Sequence, residues 1–591
     1  LMAALVRQGV PLQNVCNGKG TCGKCKVRFL AMVPEPSPGD LKHLSEQDLA
    51  KGVRLACAVT PKDGMEIEVS LPDSYDRKEM AFANWEAQEV NPGLQKKFLQ
   101  IPRPSLEDER GDWDRLVAEL DCGESVPSIE LDLLAKLPEI LRAQNFAVTV
   151  TLWSGKVLAV EPGDTTQTMY GVAVDIGTTS VGAALVDLIN GKVVKVVSRE
   201  NGQSSYGADV ISRISYAKES LEQRLQLRQA IRETVNNLLE QVVTAVGINP
   251  NAIYKMAFVA NTTMNHLFLG LDVSHLAVAP YVSSCNSALE FSARDLDLKI
   301  NPLGAVLIFP NIGSFVGGDT VGAVIGGPEV LAPGNHLLID LGTNCELLLK
   351  TSQQMMACST AAGPAFEGAR INQGMRAKPG AIEGVSIGED EVSVRVIGGK
   401  KAVGICGSGL IEAIDQMRKN GVISQQGTIV DPGRDNSLSP PLLERIRAAE
   451  KNGREFVLSF GGDEGEDVYL NQKDIGELQL AKGAVCAGIK TITEMAGISV
   501  RELDSVILAG TFATYLNAES ILAIGLVPNI DPAKIKIVGN AAHVGAVRAL
   551  VNQNDFVRAG QLANRVKHIE LGGSKAFSYH FMQSMYIEPT D

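Results

Sequence analysis

The sequence predicts a multidomain α/β protein: a small cysteine-bearing N-terminal domain, a small α/β domain after it, and two related α/β lobes filling the rest. Three observations predict this. At 591 residues the chain is too long for one hydrophobic core. Four of its ten cysteines fall within the first 57 residues. One pattern, an apolar strand, then Asp-x-Gly-Thr, then a second strand, occurs twice, around Asp175 and Asp340, 165 residues apart.

Composition narrows the function. With 45% hydrophobic and 21% charged residues the chain is ordinary globular protein. A formal net charge of −13 argues against a nucleic-acid partner, because neutralising phosphates needs clustered Lys and Arg. There is no run of 18 apolar residues to span a membrane. LMAALV is interrupted by Arg7, so it is no signal peptide, and a cytoplasmic protein is expected. The chain opens on Leu1, so a further N-terminal stretch is expected upstream.

The first domain is expected over 1–74. Its cysteines run Cys16-x5-Cys22-x2-Cys25, then 31 residues, then Cys57. Three thiolates on one loop and one remote suit a plant-type [2Fe–2S] centre, whose usual loop is C-x4-C-x2-C; this loop is one residue longer. Zinc sites usually pair two short knuckles, whereas Cys57 stands between Ala56 and Ala58. Zinc and a disulfide remain the alternatives. The same stretch, CNGKGTCGKC, also contains Gly18-x-Gly20-x-x-Gly23, a dinucleotide fingerprint. With Lys24 it fits most of a Walker A loop, except that Cys25 replaces the Ser or Thr. A dinucleotide fingerprint needs a strand before it and a helix after it. Here helix-like LMAALVRQGV precedes and the strand-like KVRFLAM follows, so the nucleotide reading fails on context. The glycines instead permit tight turns and close approach of N–H groups to sulfur. The flanks resemble a β-grasp ferredoxin domain: helix, cluster loop, strand, the proline-rich loop PEPSPGD, the short helix SEQDLA, the fourth cysteine, then the strand MEIEVSL. The β-hairpin that usually opens such a domain is missing, so truncation is expected.

Residues 75–100 lack clean periodicity and read as a linker. In IPRPSLEDE, Ser105 and Asp108 stand in capping-box positions and predict a helix start. Residues 128–143 read as a helix, and FAVTVTLW, Ser154-Gly155, KVLAVEP as a hairpin. A small α/β domain without visible chemistry is expected over 101–166.

The two lobes are expected over 167–333 and 334–591. In each turn the Asp, at a strand end, can hold Mg²⁺ directly or through water. The glycine admits phosphate oxygens to the backbone, and the Thr N–H and hydroxyl donate to them. Gly177, Thr178 and Thr179 form one candidate phosphate turn, and Gly342, Thr343 and Asn344 the other. Two such hairpins facing one another would clamp a polyphosphate. A third element, SVILAGTFATYLN, reads as strand, tight turn and helix; Gly510 there would let an adenine ring lie against backbone. Two further glycine-rich turns enter helices: Gly317, Gly318 and Asp319 in FVGGDTVGAVIGG, and Gly407, Ser408 and Gly409 in VGICGSGLIEAID. A helix N-terminus aimed into a cleft favours anions; close helix packing is the alternative for both. None of the seven histidines shows metal-ligand spacing, and His266 reads as a core residue. Leu221, Leu225, Ile231, Val235, Leu238, Val242 and Val246 form a helical core stripe. The six scattered cysteines read as inert core residues, and the tail 567–589 as a strand and helix docking back.

DIGTTS, DLGTNCE and LAGTFATYL resemble the first phosphate, second phosphate and adenosine motifs of the superfamily of acetate and sugar kinases, heat-shock chaperones and actin. The resemblance covers 169–551 and implies two RNase H-like lobes around an ATP cleft. Together with the ferredoxin-like domain, the chain resembles a narrower group, the ATP-dependent reductive activators of corrinoid proteins. NGQSSYGADVISRI (201–214), VANTTMNHLFLG (259–270), AAGPAFEGARI (361–371) and QLAKGAVCAGI (479–489) are similar to that group as well. The resemblance implies an ATP-hydrolysing reductase that returns inactive Co(II) to Co(I) in a corrinoid methyltransferase system, one electron at a time. It also implies an external low-potential electron donor and a homodimer. Cys16, Cys22, Cys25 and Cys57 would ligate the cluster, and Asp175 and Asp340 would position Mg²⁺. Asp340 or Glu346 would orient the attacking water, a choice the sequence leaves open. Plant-type clusters sit near about −400 mV, and each ~59 mV of deficit costs tenfold in a one-electron equilibrium. ATP would therefore act by shifting lobe closure toward a partner-bound state. Three rivals remain: a ferredoxin-fused small-molecule kinase, an ATP-dependent donor to another low-potential metalloenzyme, and a non-enzymatic binding module. The kinase lacks a visible acceptor site. Activators of the second kind generally hold their cluster at a subunit interface with few cysteines, and both Asp-x-Gly-Thr turns speak against the third.

Overall fold

Short apolar runs punctuated by glycine turns pair here into six sheets among the described residues. The computed structural model describes residues 1–7, 20, 23, 25–69, 82, 85–121, 126–433, 438–449, 453–462, 466–510 and 512–590. The chain forms two compact units, Leu1–Gly326 with His543–Ala563, and Gly327–Ala542 with Asn564–Asp591.

In the first unit, β1 (Lys26–Ala31) lies between β2 (Val53–Leu55) and β3 (Glu66–Glu68), antiparallel to both. Its alternation is the reason: Val27 and Phe29 point into the core while Lys26, Arg28 and Leu30 face out. Helices Pro38–His43 and Glu46–Ala50 start on Ser37 and Ser45, whose hydroxyls accept from the N–H groups of Asp40 and Asp48. The first of these helices occupies part of the stretch expected as a proline-rich loop, because Ser37 caps it and Pro38 fits its first turn. The buried Asp40 also accepts from the Leu55 N–H at 2.7 Å, which pins that helix to β2.

The next sheet is β4 (Leu94–Gln100), β5 (Ala147–Trp153) and β6 (Lys156–Pro162), antiparallel in that order. Ser154 and Gly155, at φ 46 and 75, make the expected hairpin turn. The helix Leu131–Ala143 appears as expected. Two expectations fail. Residues 94–100 form an edge strand rather than linker; its polar, half-covered sequence LQKKFLQ shows no clean alternation. Ser105 and Asp108 cap no helix: they bridge across a tight turn, and the Asp108 carboxylate is taken by Arg110 and Arg115 at 2.9 and 2.6 Å. The helix starts only after Gly111, at Asp112.

The six-stranded sheet of this unit contains β7 (Tyr170–Ile176), β8 (Ser180–Asp187), β9 (Lys192–Glu200), β10 (Ile253–Ala260), β11 (Leu289–Ser292) and β12 (Ala305–Ile308), in the order β11-β12-β10-β7-β8-β9. β7 to β9 form an antiparallel meander, while β10 and β12 run parallel to β7. The crossover helix Leu221–Val246 buries Ile231, Val235, Leu238 and Val242, and Val246 packs partly buried against the same core; Leu221 and Leu225, both exposed, stand outside the stripe. Helix Gly318–Gly326 packs against the returning segment so closely that a Cβ on Gly545 would collide with the Gly322 carbonyl. Residues 543–563, expected in the second lobe, therefore belong to the first unit.

The second unit repeats the plan. It contains β13 (His336–Leu341), β14 (Cys345–Lys350) and β15 (Met355–Thr360) as a meander. Two three-stranded sheets are inserted next: β16 (Ala381–Ile387), β17 (Val392–Val396) and β18 (Gly404–Ile405), then β19 (Ile446–Ala449), β20 (Gly453–Ser459) and β21 (Val468–Asn471). Helix Gln472–Ala496 leads to β22 (Ser505–Ala509), and β23 (Ile535–Gly539) and β24 (Val566–His568) complete the order β23-β22-β13-β14-β15-β24. Both large sheets thus share one plan, a three-stranded meander whose first strand is flanked on its other side by two parallel strands. That is the duplicated RNase H-like arrangement. The tail docks as expected: β24 adds to β15, and Ile587 N–H donates to the Gln425 carbonyl at 2.8 Å.

Candidate functional site

The cysteine site is assembled by strand pairing. Lys26 pairs with Leu55, and the same register carried outward sets Cys25 beside Ala56, whose N–H donates to the Cys25 carbonyl at 2.8 Å. Cys57, distant in sequence, is thereby delivered next to Cys25 on the short turn Ala56–Ala58. Cys25 is buried and Cys57 half-buried against the same apolar cluster. Gly23, at φ 66, sits where a Cβ would lie 2.7 Å from His43 Cβ. Two thiols in one small core, one at the start of β1 and one on a turn remote in sequence, fit a cluster ligated on one side by a loop and on the other by a remote cysteine. Cys16 and Cys22 lie outside the described residues.

The first Asp-x-Gly-Thr turn joins β7 to β8, with Asp175 half-buried near the strand end. Gly177 donates its N–H to the Ser180 carbonyl at 3.0 Å, and a Cβ there would stand 2.7 Å from that oxygen. Thr178 is buried, and its hydroxyl accepts from Asn261 Nδ2 at 3.1 Å. Asp319, in the turn entering helix Gly318–Gly326, interacts with Asp175; burial first, and the Asp175 charge second, push its carboxyl above the usual range. Gly317 and Gly318 have a packing reason: their Cβ atoms would meet Asn261 Cα at 2.5 Å and Phe309 Cβ at 2.9 Å.

The second turn is not a copy of the first. β7 and β8 close on the pair Ile176–Val181, whereas β13 and β14 close on Leu341–Cys345, a loop one residue shorter. In consequence Asp175 faces Gly182, but Asp340 faces Glu346 across the strands. Glu346 is 7% exposed and accepts from the Ser359 hydroxyl at 3.1 Å. Thr343 donates its hydroxyl to Glu367 at 2.5 Å, and the Gly342 N–H donates to the Asn344 carbonyl at 3.2 Å. Sequence reasoning missed Glu367, although it lies within the family-like stretch 361–371. Gly510 follows β22 at φ 100, where a Cβ would be 2.5 Å from the Leu341 carbonyl and 3.0 Å from an Asp340 carboxylate oxygen. The adenosine-motif glycine therefore lies directly on the second turn. Thr511 is outside the described residues. After it comes a short 3₁₀ turn, Ala513–Tyr515, and only then helix Ala518–Ala523, in place of the longer helix expected.

Gly407 and Gly409 open helix Gly407–Lys419, but their Cβ positions are filled by the carbonyls of Phe366 and Ile382. Ser408 is buried and donates to the Glu383 carbonyl at 3.1 Å. Close packing accounts for all three. His266 is fully buried; one ring nitrogen meets the Thr262 carbonyl at 2.8 Å and the other the Ser284 N–H at 3.0 Å, so neither is left for a metal. Of the six scattered cysteines expected in the core, Cys345, Cys358, Cys406 and Cys486 are buried, Cys285 is only half-buried, and Cys122 lies outside the described residues.

Two RNase H-like lobes, each carrying an Asp-x-Gly-Thr turn, define an ATPase of the actin-like class, here fused to a domain that carries Cys25 and Cys57. Family models match along nearly the whole chain: a 2Fe-2S iron–sulfur cluster binding domain at 1–62, the RACo linker region at 84–167, the RACo middle region at 170–327, and the C-terminal domain of RACo, the ASKHA domain, at 334–591. The chain belongs to the RACo family of reductive activators of corrinoid proteins. It is 32% identical over 584 residues to the corrinoid activation enzyme RamQ of Eubacterium limosum, covering 98% of this chain and 94% of RamQ. It is 24% identical over 451 residues to the [Co(II) methylated amine-specific corrinoid protein] reductase of Methanosarcina barkeri, covering 70% and 76% of the two chains. The solved structure of a reductive activator for corrinoid, iron–sulfur protein matches with a TM-score of 0.77 and 35% identity, covering 100% of this chain and 96% of that one. No helix among the described residues is long and apolar enough to cross a membrane.

Proposed function

We propose that this chain is an ATP-dependent reductase that returns the inactive Co(II) form of a corrinoid protein to Co(I). The observation that carries the reading is the union, in one chain, of Cys25 and Cys57, brought together at the end of the β1–β2 ladder, with two RNase H-like lobes bearing Asp-x-Gly-Thr turns. A [2Fe–2S] cluster held by Cys16, Cys22, Cys25 and Cys57 would supply one electron at low potential. Gly177, Thr178, Thr179, Gly342, Thr343 and Asn344 bind the phosphates of ATP, and Gly510 with Thr511 borders the adenosine. Asp175 and Asp340 position Mg²⁺, and Asp319 adds a carboxylate on the Asp175 side. Of the two candidates for orienting the attacking water, we assign Glu346, since Asp340 is then left to the metal and Glu346 is buried beside it. The electron enters from an external low-potential donor, and the working form is a homodimer. A kinase reading would need a phosphoryl acceptor; a hydrolytic one needs only the buried carboxylate Glu346.

The test mixes reduced, cluster-loaded protein with a candidate Co(II) corrinoid protein and follows the visible spectrum with and without Mg-ATP. ATP-dependent conversion to Co(I), with inorganic phosphate as the product, is expected. Conversion at the same rate and extent without nucleotide, or a phosphorylated small-molecule product, would overturn the reading.

A further inference from the structure

Two family-like stretches of sequence have no role in the chemistry above, NGQSSYGADVISRI and VANTTMNHLFLG. They meet behind the first phosphate turn. Asn201 donates from Nδ2 to the Gly177 carbonyl at 2.8 Å and from its backbone N–H to the Thr179 carbonyl at 3.0 Å. Arg213 donates from Nη2 to the Thr178 carbonyl at 2.6 Å. All three carbonyls of Gly177–Thr179 are thus held inward, and Asn261 adds its bond to the Thr178 hydroxyl at 3.1 Å.

Arg213 is completely buried. Its remaining donors reach the Gly207 carbonyl at 2.9 Å, the Gln203 side-chain carbonyl at 3.3 Å and Met264 Sδ at 3.0 Å. Every one of these partners is neutral. Burial, the larger effect, opposes its charge, while the carboxylates of Asp209 and Glu200 act on it electrostatically and favour that charge. A guanidinium keeps its proton at neutral pH, and burying a charge is costly. The turn therefore has a full positive charge fixed directly behind it, with neutral dipoles as its hydrogen-bond partners.

We propose that Arg213 is a positioning residue for the nucleotide: with Asn201 and Asn261 it commits the carbonyl edge of the Gly177–Thr179 turn inward, presenting the opposite edge to phosphate, and its positive charge behind the turn favours the polyphosphate. The proposal rests on the ATP reading above and extends it to residues that touch no ligand. The triphosphate is then bound partly through a charge that never contacts it, so discrimination against AMP, which lacks the β- and γ-phosphates, follows.

The test measures Mg-ATP, Mg-ADP and AMP binding by calorimetry on the cluster-loaded wild type, Arg213→Met, Arg213→Lys and Asn261→Asp. Asn261 caps helix Thr262–Leu269 by accepting from Met264 N–H at 2.9 Å. Asp caps as well as Asn does, so Asn261→Asp keeps the fold while placing a negative charge behind the turn; it serves if Arg213→Met does not fold. Arg213→Met and Asn261→Asp are each expected to weaken ATP by about tenfold or more, with AMP changing by about twofold at most. Arg213→Lys, which keeps the charge but not the fork, falls between Arg213→Met and wild type. ATP affinity within about twofold of wild type in Arg213→Met and Asn261→Asp, or an equal loss for AMP, would overturn the inference. If the wild type itself bound no Mg-ATP, the ATP reading would fall instead, which is a different outcome.

Discussion

Gly510→Ala tests the second phosphate turn most directly. The glycine sits at φ 100, a conformation that costs a side-chain-bearing residue on the order of 1–3 kcal/mol. The larger effect is geometric. The new Cβ would lie 2.5 Å from the Leu341 carbonyl, about 0.9 Å inside ordinary contact at 3.4 Å, and 3.0 Å from the Asp340 carboxylate. β22 and β13 are hydrogen-bonded partners, with Ala509 paired to Asp340, so the clash can be relieved only by moving the strand end that carries the carboxylate. A displacement near 1 Å at a reacting centre costs roughly 100-fold in rate. The control is Gly497→Ala in the same unit, at φ 72 with nothing within 4 Å of its Cβ, which carries comparable backbone strain but leaves the turn untouched. Steady-state ATP hydrolysis and urea unfolding are measured on both. Both variants lose stability, and Gly510→Ala alone loses about two orders of magnitude in kcat/KM for Mg-ATP. If Gly510→Ala hydrolysed ATP within about threefold of Gly497→Ala, the claim that Gly510 positions Asp340 would be refuted.

Three further outcomes are expected. Cys57→Ser removes the proposed fourth ligand, so iron and sulfide per chain are expected to fall and Co(II) reduction to be lost; full iron content would place the fourth ligand elsewhere. Glu346→Gln lowers kcat for ATP hydrolysis by roughly 10²–10⁴ with little change in KM, whereas Asp340→Asn raises the Mg²⁺ requirement; the reverse pattern would exchange their assigned roles. Lys255, fully buried, donates to the carbonyls of Pro92 and Ala549 at 2.8 and 3.2 Å and stands 4.6 Å over the Trp153 ring. Burial drives its pKa down to about 7, with Glu290 opposing. The unfolded chain then binds one more proton than the folded one above pH 7, so stability rises with pH from there to the ordinary lysine range, by at most about 1.4 kcal/mol per unit. Lys255→Met abolishes that rise in urea unfolding followed against pH; an unchanged slope would show that another group sets it.

The sequence alone determined what local chain chemistry can determine. Cysteine spacing, an aspartate at the end of an apolar strand and the glycine after it are contiguous features, and their partners in geometry are near neighbours in the chain. The hairpin at Ser154-Gly155 and the core face of helix Leu221–Val246 were legible for the same reason. The capping motif at Ser105 was not, because two arginines compete for Asp108, and neither was the edge strand 94–100, whose faces are unequally covered. Only the tertiary structure decided which glycines serve packing: Gly317, Gly318, Gly407 and Gly409 look like phosphate turns in one dimension and are explained by backbone from distant segments in three. It also decided that Glu346 faces Asp340 while Gly182 faces Asp175, and that Glu367, Asn201, Arg213 and Asn261 brace the turns. Register depends on the length of a loop after it closes, and a buried charge's partners depend on which surfaces fold over it; neither is a property of any one stretch of chain.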